Sequence, residues 1–597
     1  MKHLSRSLAY RISILSAFCL IAIAGLLLAK PYLVSGRATN QGDQFRLAPV
    51  GQVPSQASRQ SAVAVRAAKR GYPLINFQDG RSLKAEYKSA GLESARLEQE
   101  MTPGQATPVS LASEDVNGDG FPDLIAGYSG SSGGMLALHP GNPEAFAPKN
   151  PETIRAIGNS QFPDPFLANA RVMWTPDAPD FLAIGDFNRD GKLDILTAAK
   201  GSNALHLLAG DGNYGFNPPE DITLSGSVTA MAATQKNEQD GGISIAVAIN
   251  GSDGLTVLVY AEKQSILTQQ PAAHPLPATA TTMTPGRLDD DRSTDLAIVA
   301  GGQLYVLHGQ AQQSSLATLS GIAPDRQAGQ LEAIALPFAV NAVAISDFIW
   351  DRDAQMEMAV AGEDGIVRII ARGELDTRPI PAEEIQARRQ LMVDVRDGKR
   401  SAAELNKRKS GSALRWAVSE TTSVKLSGMG DNAQPLLMGT LASGQQSYDL
   451  LAINPAAKQL QIASREDAQG NAAGRKAISF DADSAPVAAL PMRLNVMGRP
   501  GIVMLSKGRV EPVYLMMAPT ATFAVTKTTD TNDGTCNADC SLREAVVAAN
   551  AAAGADIITL PSGTYQLTRS GDDNTAANGD LDINTDITIN GGGAAST

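Results

Sequence analysis

The chain has 597 residues, too many for one compact hydrophobic core, and so implies two or more domains. It carries 50 lysines and arginines against 62 aspartates and glutamates, a formal charge of −12 with no large basic block, which argues against nucleic acid as the main partner. Abundant glycine (55 residues) and few aromatics favour short strands and tight turns over a helical protein.

Residues 1–30 place Lys2, Arg6 and Arg11 ahead of the apolar run Ile12 to Ala29, the pattern of an export signal. The run is long for a cleaved signal and barely long enough to cross a bilayer, so cleavage and retention as a membrane anchor both stay open. Either branch exports the protein. Residues 31–70 are rich in Gln, Ser and Ala and read as a flexible linker.

Between 71 and 520 a unit repeats. Asp115 to Asp123, "DVNGDGFPD", is followed by "LIAG" and then by "GMLAL". The same plan returns at Asp186 to Asp194, "DFNRDGKLD", followed by "ILTAAKGSNALHLLAGDGNYGF". Weaker copies keep the strands and lose the loop, at Val228–Leu258, at "RLDDDRSTDLAIVAGGQLYVLHG", at Asn341–Ile370 and twice more before Leu515. About seven short-strand units at this period predict a seven-bladed β-propeller, whose closed ring leaves few free strand edges. Two insertions interrupt the period. Residues 141–178 are rich in Pro and Asn, and residues 376–412 are charged and helix-prone.

From 523 to 597 the composition turns to Thr, Asn, Asp and Ala. A helix is predicted at "LREAVVAANAA", with Ser541 as N-cap and Glu544 three residues on. The alternating stretches "DIITLPSGTYQLT" and "GDLDINTDITINGGG" read as the first rungs of a right-handed parallel β-helix, cut off in mid-pattern. Cys536 and Cys540 are the only cysteines outside the export segment, so a local disulfide is expected after export.

The two complete loops carry the chemistry. A hard cation such as calcium takes six to eight oxygens, and a tight loop supplies them from alternate residues. Asp115, Asn117, Asp119 and Asp123 give side-chain oxygens with the Phe121 carbonyl between them, and Gly120 permits the turn. Asp186, Asn188, Asp190 and Asp194 repeat the set, with the Lys192 carbonyl and Gly191. An EF-hand would place Glu at the twelfth position between two helices, whereas these loops end on Asp at the ninth between strands. Two structural calcium sites are expected. A weaker set is Asp289, Asp291 and Asp295, where Arg287 replaces the first acid and its guanidinium could occupy the cation's place. Another is Asp347 and Asp351, with Ile349 at the third position. His139 and His308 read as strand-end residues at the same point of their repeats. No Ser/His/Asp set, phosphate loop or paired-carboxylate cleft can be assembled, so no catalytic residue is assigned.

With these motifs in view, the chain resembles the FG-GAP/VCBS repeat family, bacterial relatives of the integrin α-subunit propeller, at "DVNGDGFPDLIAGY" and "GDFNRDGKLDILTAA". The resemblance implies seven blades and calcium at the two loops. The segment from Phe523 to Leu567, with "CSLREA" at Cys540 to Ala545, resembles the CSLREA-type domain that opens bacterial surface β-helix proteins. That likeness implies an exported envelope protein with more β-helix beyond, and brings no catalytic residues. The function expected is a non-enzymatic surface scaffold for adhesion or binding of a protein or glycan, touching the membrane only through an N-terminal anchor. The rival is a β-helix enzyme acting on polysaccharide, with the propeller as its targeting module.

Overall fold

The computed structural model describes residue 65, residue 75 and then 77–591, apart from 90–93, 159–160, 235–242, 262–263, 290–292, 310–328, 352–355, 374, 376–377, 379–380, 397–398, 401–414, 428–435, 444–446, 466–474, 518–520, 553–555, 572–574 and 585–586. The expected export segment 1–30 and nearly all of the expected linker lie outside the described residues.

Seven antiparallel sheets follow one another along the chain as the blades of a propeller. Blade 1 runs through Thr107–Glu114, Asp123–Gly130, Gly133–His139 and Asn169–Thr175, with Glu86–Ser89 added in parallel on its outer edge. Blade 2 comprises Phe181–Gly185, Asp194–Ala198, Ala204–Leu208 and Glu220–Thr223. Blade 3 takes Gly226–Ala233, Ile243–Gly251, Gly254–Ala261 and Ala272–Pro275, and blade 4 takes Ala280–Gly286, Asp295–Ala300, Gln303–Leu307 and Leu331–Ile334. Blade 5 holds Val340–Ser346, Glu357–Gly362, Ile366–Arg372 and Trp416–Lys425; blade 6 holds Leu437–Thr440, Asp449–Asn454, Gln459–Ser464 and Lys476–Asp481. Blade 7 joins Pro486–Met492, Gly501–Ser506 and Val513–Leu515 to Arg81–Ser82 from the start of the propeller. Its first strand lies against Thr107–Glu114 of blade 1, which closes the ring.

The second strand of each blade explains the apolar runs in the sequence. Such a strand has a neighbouring blade on each face, so residues of both parities are buried, as in "DILTA", "DLAIVA" and "GIVMLS". Alternate side chains serve the two neighbours. Leu296 and Ile298 pack with Ala246 and Ala248 of blade 3, whereas Ala297 and Val299 pack with Met358 and Val360 of blade 5. In five blades the first strand has a bulge near its start, as between Pro108 and Ser110 or Ala280 and Thr282. Bulges increase local twist, which suits strands crowded around a ring axis.

Two expectations are revised and a third is met. Val65, within the expected linker 31–70, is fully buried and bridges Gly80 and Ala482, so the chain is already engaged with the propeller there. The expected insertion 141–178 contains the outer strand of blade 1, Asn169–Thr175, whose exposed alternate positions hide it among polar residues. It also holds the short helices Pro143–Phe146 and Pro151–Gly158. In the second insertion the helix Ala382–Arg396 forms. Among the described residues no helix is long and apolar enough to cross a membrane.

Past the propeller, Thr522–Ala524, Asp556–Thr559 and Ile587–Asn590 form a three-stranded parallel sheet. The helix Leu542–Ala551 packs beside it, opened by a reciprocal cap: Ser541 Oγ accepts the Glu544 amide at 3.1 Å, and Glu544 Oε2 accepts the Ser541 amide at 2.7 Å. Cys536 and Cys540 are joined in a disulfide with Cα atoms 4.5 Å apart. Ile557 packs with Ile157 and with blade 7 residues such as Val503, which seats this sheet on the propeller.

Arg543 is the keystone of that C-terminal unit. Its guanidinium is buried and meets both oxygens of Asp530, at 2.6 and 3.2 Å, and the carbonyls of Ala576, Gly579 and Asp580. Burial alone would raise the Asp530 pKa, but hydrogen bonds from Arg543 and from the amides of Arg569 and Thr568 outweigh it and hold the carboxyl at about 2. Removing one partner of a buried pair leaves the other charge uncompensated, at a cost of about 3–5 kcal/mol. Arg543→Ala should therefore expose residues 521–591 to limited proteolysis while the blades stay protected; equal protection of both regions would contradict this role.

Candidate metal centres

Loop 115–122 of blade 1 folds back on its own side-chain oxygens. The amides of Asp119 and Gly120 donate to the two oxygens of Asp115, at 3.0 and 2.8 Å. Asn117 Oδ1 accepts the Asp119 amide at 3.2 Å, and Asp119 Oδ1 accepts that of Phe121 at 2.9 Å. Such a coil requires left-handed backbone, and Gly118 and Gly120 supply it at φ 73° and 88°. In blade 2 the amide of Gly191 donates to Asp186 Oδ2 at 3.1 Å, that of Asp190 to Asn188 Oδ1 at 2.8 Å, and that of Lys192 to Asp190 Oδ1 at 2.9 Å. Here Arg189 stands where blade 1 has Gly118, yet keeps φ at 70°, a strain of roughly 1–2 kcal/mol for a side-chain-bearing residue. The loop holds its shape against that strain. The amide hydrogen bonds to Asp186, Asn188 and Asp190, not local propensity, set the conformation.

The last acid of each loop is different in kind. Asp123 is fully buried at the head of the second strand, with Oδ2 on the Val116 amide (2.9 Å) and Oδ1 on the Gly141 amide (2.8 Å) and the Tyr214 hydroxyl of blade 2 (3.2 Å). Asp194 repeats this with the amides of Phe187 and Asn188 on Oδ2 and Gly210 on Oδ1. Asp295 takes Leu288 and Gly309. In blade 5 Glu357 Oε2 accepts the Ile349 amide, and in blade 6 Asp449 accepts the amide and hydroxyl of Ser443. Burial raises the carboxyl pKa of Asp123 to about 6 and that of Glu357 to about 8, the latter helped by Asp347 and Asp351, and also lifts Asp194 and Asp449. Glu357 is the last acid of the degraded loop that begins at Asp347, two residues later than in the full motif, whereas Asp449 escaped the sequence reading. Its only signal was an acid heading an apolar run, "DLLAIN", after a loop without the motif.

Several buried carboxylate oxygens have no hydrogen-bond partner among the described residues: Asp186 Oδ1 in blade 2, and Asp347 Oδ1 and Glu357 Oε1 in blade 5. Burial, then the neighbouring Asp351, pushes the Asp347 pKa up to about 6. An orphaned buried acceptor is costly. A cation removes that cost at Asp186, and the blade 1 loop offers the same all-oxygen donor set, so both full loops fit calcium.

Blade 4 departs from the pattern. Arg287, expected to stand in for a cation, is exposed, and Asp291 lies outside the described residues. It is His308 that meets the acids: Nδ1 lies 3.1 Å from Asp289 Oδ2 and 3.5 Å from Asp295 Oδ1, and Nε2 lies 3.1 Å from Glu332 Oε2. Burial disfavours the imidazolium, but these carboxylates outweigh it and raise the His308 pKa to about 10. The expected equivalence of His139 and His308 fails by one residue. His139 pairs with Leu124, whereas Leu296, the matching residue of blade 4, pairs with Leu307. The one-residue offset turns His139 into an apolar setting beside Tyr87 and Phe166, where burial lowers its pKa to about 3.

Asp194→Ala would strand three amides, at roughly 1–3 kcal/mol for each buried unpaired group. In EDTA it should lower the urea midpoint far more than Asp190→Ala, whose residue is exposed; equal shifts would refute the buried tie. Glu357 carries a raised folded pKa against 4.5 for the free group, so its contribution is full below that value and is lost as pH climbs to about 8. Glu357→Gln should flatten the decline in metal-free stability between pH 5 and 8, measured by urea titration at each pH.

Residues 107–139, which span the first three strands of blade 1 and its loop, match the FG-GAP repeat family. No curated protein matches the chain. Among solved structures the chain is similar to BBS1N, crystallised in complex with ARL6DN and soaked with lead, at 8% identity and a TM-score of 0.40 over 75% of this chain and 99% of that one. It is also similar to the Dos1 propeller, at 9% identity and a TM-score of 0.31 over 69% and 78%. The chain is a seven-bladed β-propeller protein with an FG-GAP repeat in its first blade.

Proposed function

We propose that this is an exported, calcium-stabilised propeller of the bacterial cell surface, a scaffold for adhesion or for binding a protein or glycan, without catalysis. In this reading Asp115, Asn117, Asp119, the Phe121 carbonyl and Asp123 hold one ion, and Asp186, Asn188, Asp190, the Lys192 carbonyl and Asp194 a second. The parallel sheet of the CSLREA-like unit then begins a right-handed β-helix rising from the propeller. The observation that carries the reading is the dispersal of buried carboxylates, one at the same point of five blades and each bound by backbone amides. Catalysis would gather acids in one cleft; structural ions pin turns one blade at a time. A cleft of about 360 Å³ between the blade 1 loop and Leu490–Met492 of blade 7 offers a ligand room beside Asp115.

Millimolar calcium should raise the melting temperature of the full chain above its value in EDTA, because an ion bound only by the folded state must stabilise it. Identical melts would refute the calcium assignment. Beads coated with the chain should retain a protein or glycan ligand in calcium and release it in EDTA. Release of reducing ends from a polysaccharide by the purified chain would overturn the non-catalytic reading.

A further inference from the structure

Blade 4 keeps the buried acid of its neighbours but replaces the oxygen ring around it. Arg287 takes the place of Asp115 and Asp186, and Arg292 that of Gly120 and Gly191, so the oxygen-only calcium set is lost. In its place stands a mixed group of donors from three parts of the blade. Asp289 comes from the loop, Asp295 from the head of the second strand and His308 from the end of the third, and one donor atom of each lies within 4.8 Å of the others. We propose that Asp289, Asp295 and His308 bind a divalent transition metal of the zinc class, with His308 Nδ1 as the nitrogen donor and Glu332 bracing the ring from its far side.

The separations suit such an ion. Tetrahedral bonds of 2.0–2.1 Å place ligand atoms about 3.3–3.4 Å apart. His308 Nδ1 stands 3.1 Å from Asp289 Oδ2 and 3.5 Å from Asp295 Oδ1. The group is also preorganised. Asp295 is fully buried and pinned by the amides of Leu288 and Gly309, and His308 is 3% exposed. With Nδ1 given to a metal, Nε2 carries the proton and donates to Glu332 Oε2 at 3.1 Å, the carboxylate–histidine arrangement that fixes the ligand's tautomer and raises its basicity. Imidazole and carboxylate donors favour zinc-class ions over calcium.

Charge points the same way. Counting Asp289, Asp295, Glu332 and His308 alone, an imidazolium leaves two negative charges, and a divalent ion on a neutral imidazole leaves one. His206 in blade 2 shows the contrast, since its two nitrogens face one carboxylate each, Asp221 and Asp177, and no two acids share a nitrogen.

The full chain, stripped with chelator and returned to millimolar calcium to fill the oxygen loops, can be titrated with Co2+ and followed by visible absorption. One equivalent should bind with the intense bands of a four-coordinate ion, and Zn2+ should displace it. His308→Gln and Asp289→Asn should each abolish those bands, and Glu332→Gln should weaken Zn2+ affinity about 10–100-fold. Circular dichroism in EDTA establishes that each variant folds; if His308→Gln does not, Asp289→Asn decides, because that side chain sits at the rim. Absence of four-coordinate bands, or zinc affinity unchanged by both Asp289→Asn and Glu332→Gln, would overturn the proposal and leave His308 as a buried imidazolium.

Discussion

One buried carboxylate governs how five of the seven blades turn. An ionised acid taken out of water is tolerated only if its lone pairs are satisfied, so wherever Asp heads the second strand the chain must bring amides to it. In blades 1, 2 and 4 the first amide lies seven residues back, at Val116, Phe187 and Leu288. That spacing sets the loop length, and the alternate-oxygen coil fills it. Blade 5 tests the rule. Its loop is one residue longer between amide and acid, and the acid there is Glu357, whose extra methylene spans the difference to Ile349. Blades 3 and 7 begin this strand with Ile243 and Gly501, and the sequence before each lacks the alternating acid motif.

Five blades therefore share a socket and differ in what neutralises it. Blades 1 and 2 surround it with oxygens. Blade 4 brings in an imidazole, and in blade 5 burial, helped by the acids gathered nearby, drives the carboxyls towards their neutral forms. Tyr214 shows that the sockets are also joined. Its hydroxyl leaves blade 2 to bind Asp123 in blade 1, so the Gly-rich turn "GDGNYGF" belongs to its neighbour's loop as much as to its own.

Much of this was legible in the sequence, and the failures have physical causes. The two complete loops, the number of blades and the Ser541 cap could be read because local chemistry alone specifies them. The outer strands were harder, since Asn169–Thr175 buries one face only and its polar alternate residues look like loop. Val65 was missed because its partners, Gly80 and Ala482, are supplied by ring closure, which no local pattern encodes. His308 was misread for a subtler reason. "LAL" and "YVL" look like equivalent strand ends, but the pairing differs by one residue, and in a strand one residue is the difference between opposite faces.

Ring closure also decides where the molecule would feel a pull. The chain meets the propeller first at Val65, passes through Phe77, Arg81 and Ser82 and leaves it through Val513–Met517, and the last two segments bond directly to each other, by Phe77 to Met517 and by the Gln78 amide to the Met516 carbonyl at 2.9 Å. Entry and exit are therefore adjacent strands of blade 7. Tension applied between the N-terminal side and the parallel sheet beyond Thr522 would load the Val65 bridge and that short seam before the sheets of the other six blades. The propeller would hang beside the line of force, with its faces undistorted, until the seam opened.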